Sequence, residues 1–322
     1  MSGLVLRSYR WLAIEPHQRR GARVLQLAIG LMLLFRVFTE GPFLKFLWGP
    51  RGVGSGSSRV ILGSYIGGLL DRVFTTDFGT LIVVAGLGAG GLGLLLGVWT
   101  RSSTVLALLT FFMLEQRLPQ LPDGGDNITR IVLAYMVFLL PPTASPKFGS
   151  FAVWLHNLAV LAIGIQICIL YTISGLMKAY GDKWHHGIAM YYISQVEWFS
   201  HPSVRKIFKN PFVVTASTYM PMFYQLLFSM AILSQLKLPW LALGISFHLG
   251  VAWLMGLVTF STVMIGLELF LITDSEYTDL AKSWRLILAK SRLSQRSVVP
   301  EASAEAVPFS DWNLSHRESE EE

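Results

Sequence analysis

Apolar runs separated by short polar joins dominate the chain. They fall at about 24–39, 78–98, 103–117, 128–141, 151–177, 212–236, 240–257 and 259–273, each bounded by Pro, Gly or charge. Runs of this length are continuous rather than striped, which predicts helices surrounded by hydrocarbon and not the amphipathic helices of a soluble bundle. The pattern therefore predicts an all-α, polytopic membrane helical bundle of about eight transmembrane helices, in which the fourth and eighth are short. After the last run Leu280, Trp284, Ile287 and Leu288 share one helical face, with Lys282, Arg285, Lys290 and Arg292 elsewhere, so 276–293 reads as a basic amphipathic helix on the membrane surface. Residues 294–322 mix Ser, Glu and Pro and end in Glu320-Glu321-Glu322, a composition that predicts a disordered tail.

Composition agrees with the pattern. Hydrophobic residues make up 52% of the 322 and charged residues only 14%, at a mean hydropathy of +0.51. That is too apolar for a soluble globule. The net charge of +6 would suit a nucleic-acid partner, but the basic residues sit where the positive-inside rule puts them. Arg7, Arg10, Arg19, Arg20 and Arg23 precede the first run, so the arm 1–23 is expected in the cytoplasm, without a cleavable signal. With eight spans the joins near Arg101, Lys147 and Lys237 and the basic C-terminal segment share that side. The segment 178–211 is then external and carries five basic residues, Lys178, Lys183, Arg205, Lys206 and Lys209, against the rule; a seven-span arrangement relieves some of that excess but puts the basic tail outside. Cys168 is the only cysteine and lies inside a run, which excludes an internal disulfide and a CxxC redox pair.

The chemistry-bearing residues are few. Lys178 stands where the 151–177 run gives way to a polar, aromatic segment. An ionisable group at that depth is a functional candidate, although an interfacial anchor beside Tyr180 and Trp184 also accounts for it. His248 lies in an otherwise apolar run, where it either hydrogen-bonds a neighbouring helix or performs chemistry. Arg36, Asp126, Arg130 and Glu268 complete the intramembrane polar set. Arg36 needs a carboxylate, a carbonyl, water or an anionic ligand, and Asp126 and Arg130 stand i, i+4, where they can neutralise each other.

Two further patterns invite overreading. Gly86-Leu-Gly88-Ala-Gly90-Gly91 fits GxGxxG, but in a membrane run its small-xxx-small spacing serves close helix approach rather than a dinucleotide. His185, His186, Glu197 and His201 share one segment without a metal-ligand spacing, so no metal is assigned. Ala189, Tyr192, Val196 and Phe199 recur at helical spacing there, which predicts a short helix that lies along the membrane or folds back as a cap over Lys178.

The element Tyr171…Gly175-x-x-Lys178…Trp184…Gly187, the stretch Phe247-His248-Leu249-Gly250, the Gly125-Asp126-Asn127 start of the fourth run and Trp48-Gly49-Pro50-Arg51-Gly52 together resemble the HTTM (horizontally transferred transmembrane) domain. That domain is the membrane part of vitamin K-dependent gamma-glutamyl carboxylases and of bacterial proteins that include the membrane component of sporulation-delaying-toxin maturation. The resemblance spans about residues 20 to 275 and places the domain at 24–275. It implies a bacterial plasma-membrane enzyme or maturation factor acting on a secreted peptide at the outer face. Lys178 would be the general base and His248 its catalytic companion; a reduced quinone would be the cofactor, held by Arg36, Asp126, Tyr171 and Trp184. A soluble maturation partner would join membrane lipids as its partners. Two departures argue against glutamate carboxylation itself: no substrate-docking domain follows the membrane part, and Gly124–Thr129 offers no imidazole where the carboxylases have one. A non-catalytic chaperone or immunity protein for a peptide is the rival reading. A transporter fits less well, since the two halves show no clear repeat.

Overall fold

The computed structural model describes residues 10–54, 67–68, 71–119, 124–145, 150–197, 200 and 202–296. Every regular element among them is helical. The long helices are α1 (Arg19–Glu40), α2 (Asp77–Leu96), α3 (Thr100–Arg117), α4 (Gly124–Met136), α5 (Phe151–Tyr180), α6 (Pro211–Ile232), α7 (Lys237–Met255), α8 (Val258–Phe270) and α9 (Asp274–Arg296). Each of the eight apolar runs falls on one of the helices α1 to α8. The segment Arg19–Leu47 and helices α2, α5 and α7 are long and apolar enough to cross a membrane, and a fifth span is reached if α8 is counted with the helix after it.

Local sequence sets the helix ends. Thr76 caps α2 by accepting a hydrogen bond from the backbone N–H of Gly79 at 3.0 Å, and Gly97 ends the helix in the left-handed conformation. The Arg23 guanidinium then donates to the carbonyls of Leu94 and Leu95 at 2.6 and 2.7 Å, placing a cation on the negative end of the α2 dipole. Asn210 caps α6, with Pro211 at its first position. Gly256, also left-handed, turns α7 directly into α8.

Helices α1 and α8 hold the centre. Helix α1 packs on α2 and α8, while α8 also touches α4 and α7; α5 packs on α4 and α6, and α6 on α7. The glycine run of α2 works by close approach: a Cβ on Gly90 would come within 2.9 Å of the Ala107 backbone in α3, and one on Gly30 of α1 within 2.7 Å of the Gly91 carbonyl. Outward, Ile165, Ile169, Ile173 and Leu176 form an exposed apolar stripe along α5. Water would penalise such a stripe, whereas hydrocarbon solvates it. Long apolar helices with apolar outer faces are the marks of an integral membrane protein.

The chain divides into Met1–Asp274 and Ser275–Glu322. In the second unit, α9 exposes Leu280, Trp284, Ile287 and Leu288, the residues that the sequence puts on one face. The tail beyond residue 296 lies outside the described residues, as do Trp198, Phe199 and His201.

Candidate functional site

Four helices bring one polar cluster together. The Tyr171 hydroxyl of α5 donates to Glu268 Oε1 of α8 at 2.5 Å, and Tyr224 of α6 donates to the same oxygen at 3.0 Å. His248 of α7 has its Nε2 2.9 Å from the Tyr171 oxygen and 3.7 Å from Glu268 Oε1. Nothing in this cluster is wet: His248 is 1% exposed, and Tyr171 and Glu268 are 0% exposed. Aromatic rings seal it. Tyr171 packs on Phe228 at 4.0 Å between ring centroids, Tyr224 stacks on Trp240 at 5.5 Å, and His248 meets Phe260 edge-on at 5.6 Å. Space for the hydroxyl and carboxyl comes from Gly244 of α7, since a Cβ there would run into Tyr224 Oη and the Glu268 carboxylate.

A cavity of about 460 Å³ adjoins the cluster, within the size range of small-molecule sites. Tyr171, Ser174 and Lys178 face it from α5 at i, i+3 and i+7, so Lys178 stands about 10 Å along the helix from Tyr171. Helix α7 contributes Phe247, His248, Val251 and Leu254, and α6 contributes Ser217, Pro221 and Gln225. Pro221 has no N–H, so the carbonyl of Ser217 one turn earlier lacks its usual helical donor.

The segment after α5 folds back over this space. Its short helices Asp182–His185 and Ala189–Gln195 are tied to α6: Tyr219 Oη donates to the His185 carbonyl at 2.7 Å, and the Met190 N–H donates to Thr218 Oγ1 at 3.2 Å. Trp184, Met190, Ile193 and Ser194 thereby join the cavity wall, as expected of a cap over Lys178. The Lys178 ammonium lies 5.2 Å from the Trp184 ring centroid and has no carboxylate partner among the described residues.

Of the six sequence candidates, the fold brings Lys178, His248, Tyr171 and Trp184 to this one cavity. Arg36 and Asp126 are elsewhere. Arg36 pairs with Asp126 at 2.5 Å and with Glu40 at 2.9 Å, and it lies over the Phe111 ring, so its charge is neutralised inside the protein instead of facing the cavity wall. Only Gly124, two residues before Asp126, reaches that wall. The i, i+4 pairing of Asp126 with Arg130 is replaced by Arg130 donating to Asn127 Oδ1 at 2.9 Å and meeting Glu115 at 3.5 Å, because Arg36 has taken Asp126. In the histidine-rich segment, His186 Nδ1 meets the Asp182 carbonyl at 2.8 Å, and no group of three potential metal ligands occurs among the described residues.

Sequence reading did not find Tyr224, Gln225 or Gly244, and it counted Glu268 without giving it a partner. A tyrosine in an apolar run is ordinary, and only the fold brings Tyr224 to Glu268. The Trp48–Gly52 element has a plain structural use: Arg117 donates to the carbonyls of Trp48 and Gly49 at 3.3 and 3.0 Å and pairs with Asp71 at 3.1 Å. Compared with known proteins, the chain matches no family model, no curated protein and no solved structure.

Proposed function

We propose that the chain is an HTTM-type membrane protein of eight spans, with both termini cytoplasmic. In this reading it is an enzyme or maturation factor that modifies a secreted peptide at the outer face, with Lys178 as general base and a reduced quinone as cofactor. The observation that carries the reading is the shared cavity: Lys178, Trp184, Tyr171 and His248 border it together, and the Lys178 ammonium is balanced by no carboxylate among the described residues. A salt-bridged lysine holds its proton, whereas one facing an apolar cavity without a counter-ion can release it and later take one from a ligand hydroxyl.

The cavity fits a flat, mostly apolar ring system. Phe247, Phe260, Trp184 and Met264 give apolar and aromatic wall, while Ser174, Gln225 and His248 give a few polar points. Such a cofactor would supply, through its reaction with oxygen, a base strong enough for peptide chemistry. The protein's own part is to hold the ring, keep water out through the fold-back segment and accept the hydroxyl proton at Lys178 Nζ.

The test is oxygen uptake by the purified protein in nanodiscs supplied with a reduced naphthoquinone. Uptake that is lost in Lys178→Ala supports the reading; no uptake above the lipid blank removes the quinol chemistry. One observation favours the rival, a non-catalytic peptide-binding protein: Met190, Met220, Met255 and Met264 all line the cavity, and methionine walls adapt to varied ligands. Lys178→Arg separates the two. Arginine keeps the charge but cannot serve as a base, so an enzyme loses activity and a binding protein keeps its ligand.

A further inference from the structure

Tyr171 has one hydroxyl proton and two polar neighbours. Its hydrogen bond to Glu268 Oε1 uses that proton, so the 2.9 Å contact with His248 requires the imidazole to donate from Nε2. The neutral ring then carries its lone pair on Nδ1, a buried atom that no described protein group meets. Glu268 is itself held: Tyr224 fixes the same oxygen from α6, and Gly244 leaves room for both groups.

We propose that Glu268, acting through Tyr171, is the positioning residue for His248. The pair sets the tautomer and the orientation of the imidazole, which borders the same cavity as Lys178. The arrangement follows the logic of a carboxylate that orients a catalytic histidine, with a phenol inserted between the two. The Nε2–H, the Tyr171 hydroxyl and Glu268 Oε1, 3.7 Å from the ring nitrogen, form one buried chain that fixes the ring from the side of Nε2.

The identity of the ligand rests on the reading given under Proposed function; the tautomer does not. Nitrogen-15 spectra of histidine-labelled full-length protein in nanodiscs decide the tautomer, with the His248 signal assigned by difference against His248→Asn. The expected result is a protonated Nε2 and a bare Nδ1 in the wild type, with mixed tautomers in Tyr171→Phe and Glu268→Leu. A wild type protonated on Nδ1 overturns the proposal whether or not the variants fold, and so does a tautomer unmoved in both variants. For the kinetic role, Glu268→Gln is expected to lower the kcat of quinol-driven oxygen uptake about tenfold or more with KM little changed; an unchanged kcat overturns it. Absence of uptake in the wild type would instead sink the quinol reading alone, with the tautomer still decided by the spectra.

Discussion

Tyr171 and Glu268 are joined by a hydrogen bond across 97 residues of sequence, tying α5 to α8 where neither side chain meets solvent. Such a bond gains little over the alternatives that a membrane-embedded unfolded chain can find, on average about 0.6 kcal/mol. Its weight lies in what surrounds it, because Gly244 permits the approach. Gly244→Ala is expected to destabilise the protein by about 1–3 kcal/mol, the usual range for overpacking a tight site. Gly88→Ala is the control, since a Cβ there meets only Val37 methyl groups at 3.7 Å and beyond. Thermal unfolding in detergent should show a lower midpoint for the first variant and little change for the second; equal midpoints would mean that the four-helix contact is looser than the structure has it.

The Arg36 cluster is a pairing problem of another kind. Its side chain is 12% exposed and that of Asp126 is 13% exposed, and the two carboxylates of Glu40 and Asp126 converge on the single guanidinium. Arg36→Met removes the only cation from this group of three and should cost about 3–5 kcal/mol, as breaking a buried pair does. Adding Asp126→Leu to Arg36→Met should recover part of that loss, because the second change removes one of the two carboxylates that converged on the guanidinium. A double-mutant cycle on unfolding midpoints reads the coupling. Strict additivity of the two changes would show that the pair is solvated after all.

Much of the architecture is legible in the sequence because hydrocarbon imposes a simple demand: an apolar run must be a helix, since no water is present to satisfy its backbone. That demand located α1 through α8. It is silent on neighbours. Tyr171, Ser174 and Lys178 lie on one face by arithmetic, but nothing in the spacing says that His248 and Trp184 meet that face. Asp126 shows the opposite failure. Its local i, i+4 partner was visible, and a residue 90 positions away took it instead. Glu268 was visible as a polar residue in a run, yet its two phenol partners come from helices that only the fold brings beside α8.

Arg117 links the end of α3 to the loop after α1. It reaches Trp48 and Gly49 through different nitrogens and lies over the Phe74 ring at 5.1 Å. A lysine has one ammonium in place of this fork, so Arg117→Lys should lose at least one buried carbonyl bond, worth about 1–3 kcal/mol when an acceptor is stranded. Limited proteolysis should then cut between residues 41 and 76 faster than in the wild type, with the helices after α3 unaffected. Unchanged cleavage would mean that this loop is held by other contacts.

Whether α6 crosses the membrane bears directly on the number of spans and on the side that Lys178 faces. Helix α6 is not among the four helices that are long and apolar enough by themselves, and Pro221 lies in its middle. It still packs along α5, which is, and its side chains Phe223, Leu227 and Met230 are exposed as a lipid-facing surface would be. If α6 spans, Lys183 just after α5 and Gln235 just after α6 lie on opposite faces of the membrane; if it does not, they share a face. Both positions are exposed, and Cys168→Ser leaves a cysteine-free background. Single cysteines in place of Lys183 and Gln235 can then be probed with a membrane-impermeant thiol reagent on intact cells. The eight-span topology predicts labelling at 183 without permeabilisation and at 235 only after it. Labelling of both from outside would return α6 to one side of the membrane, and with it the assignment of Lys178 to the outer face would have to be argued afresh.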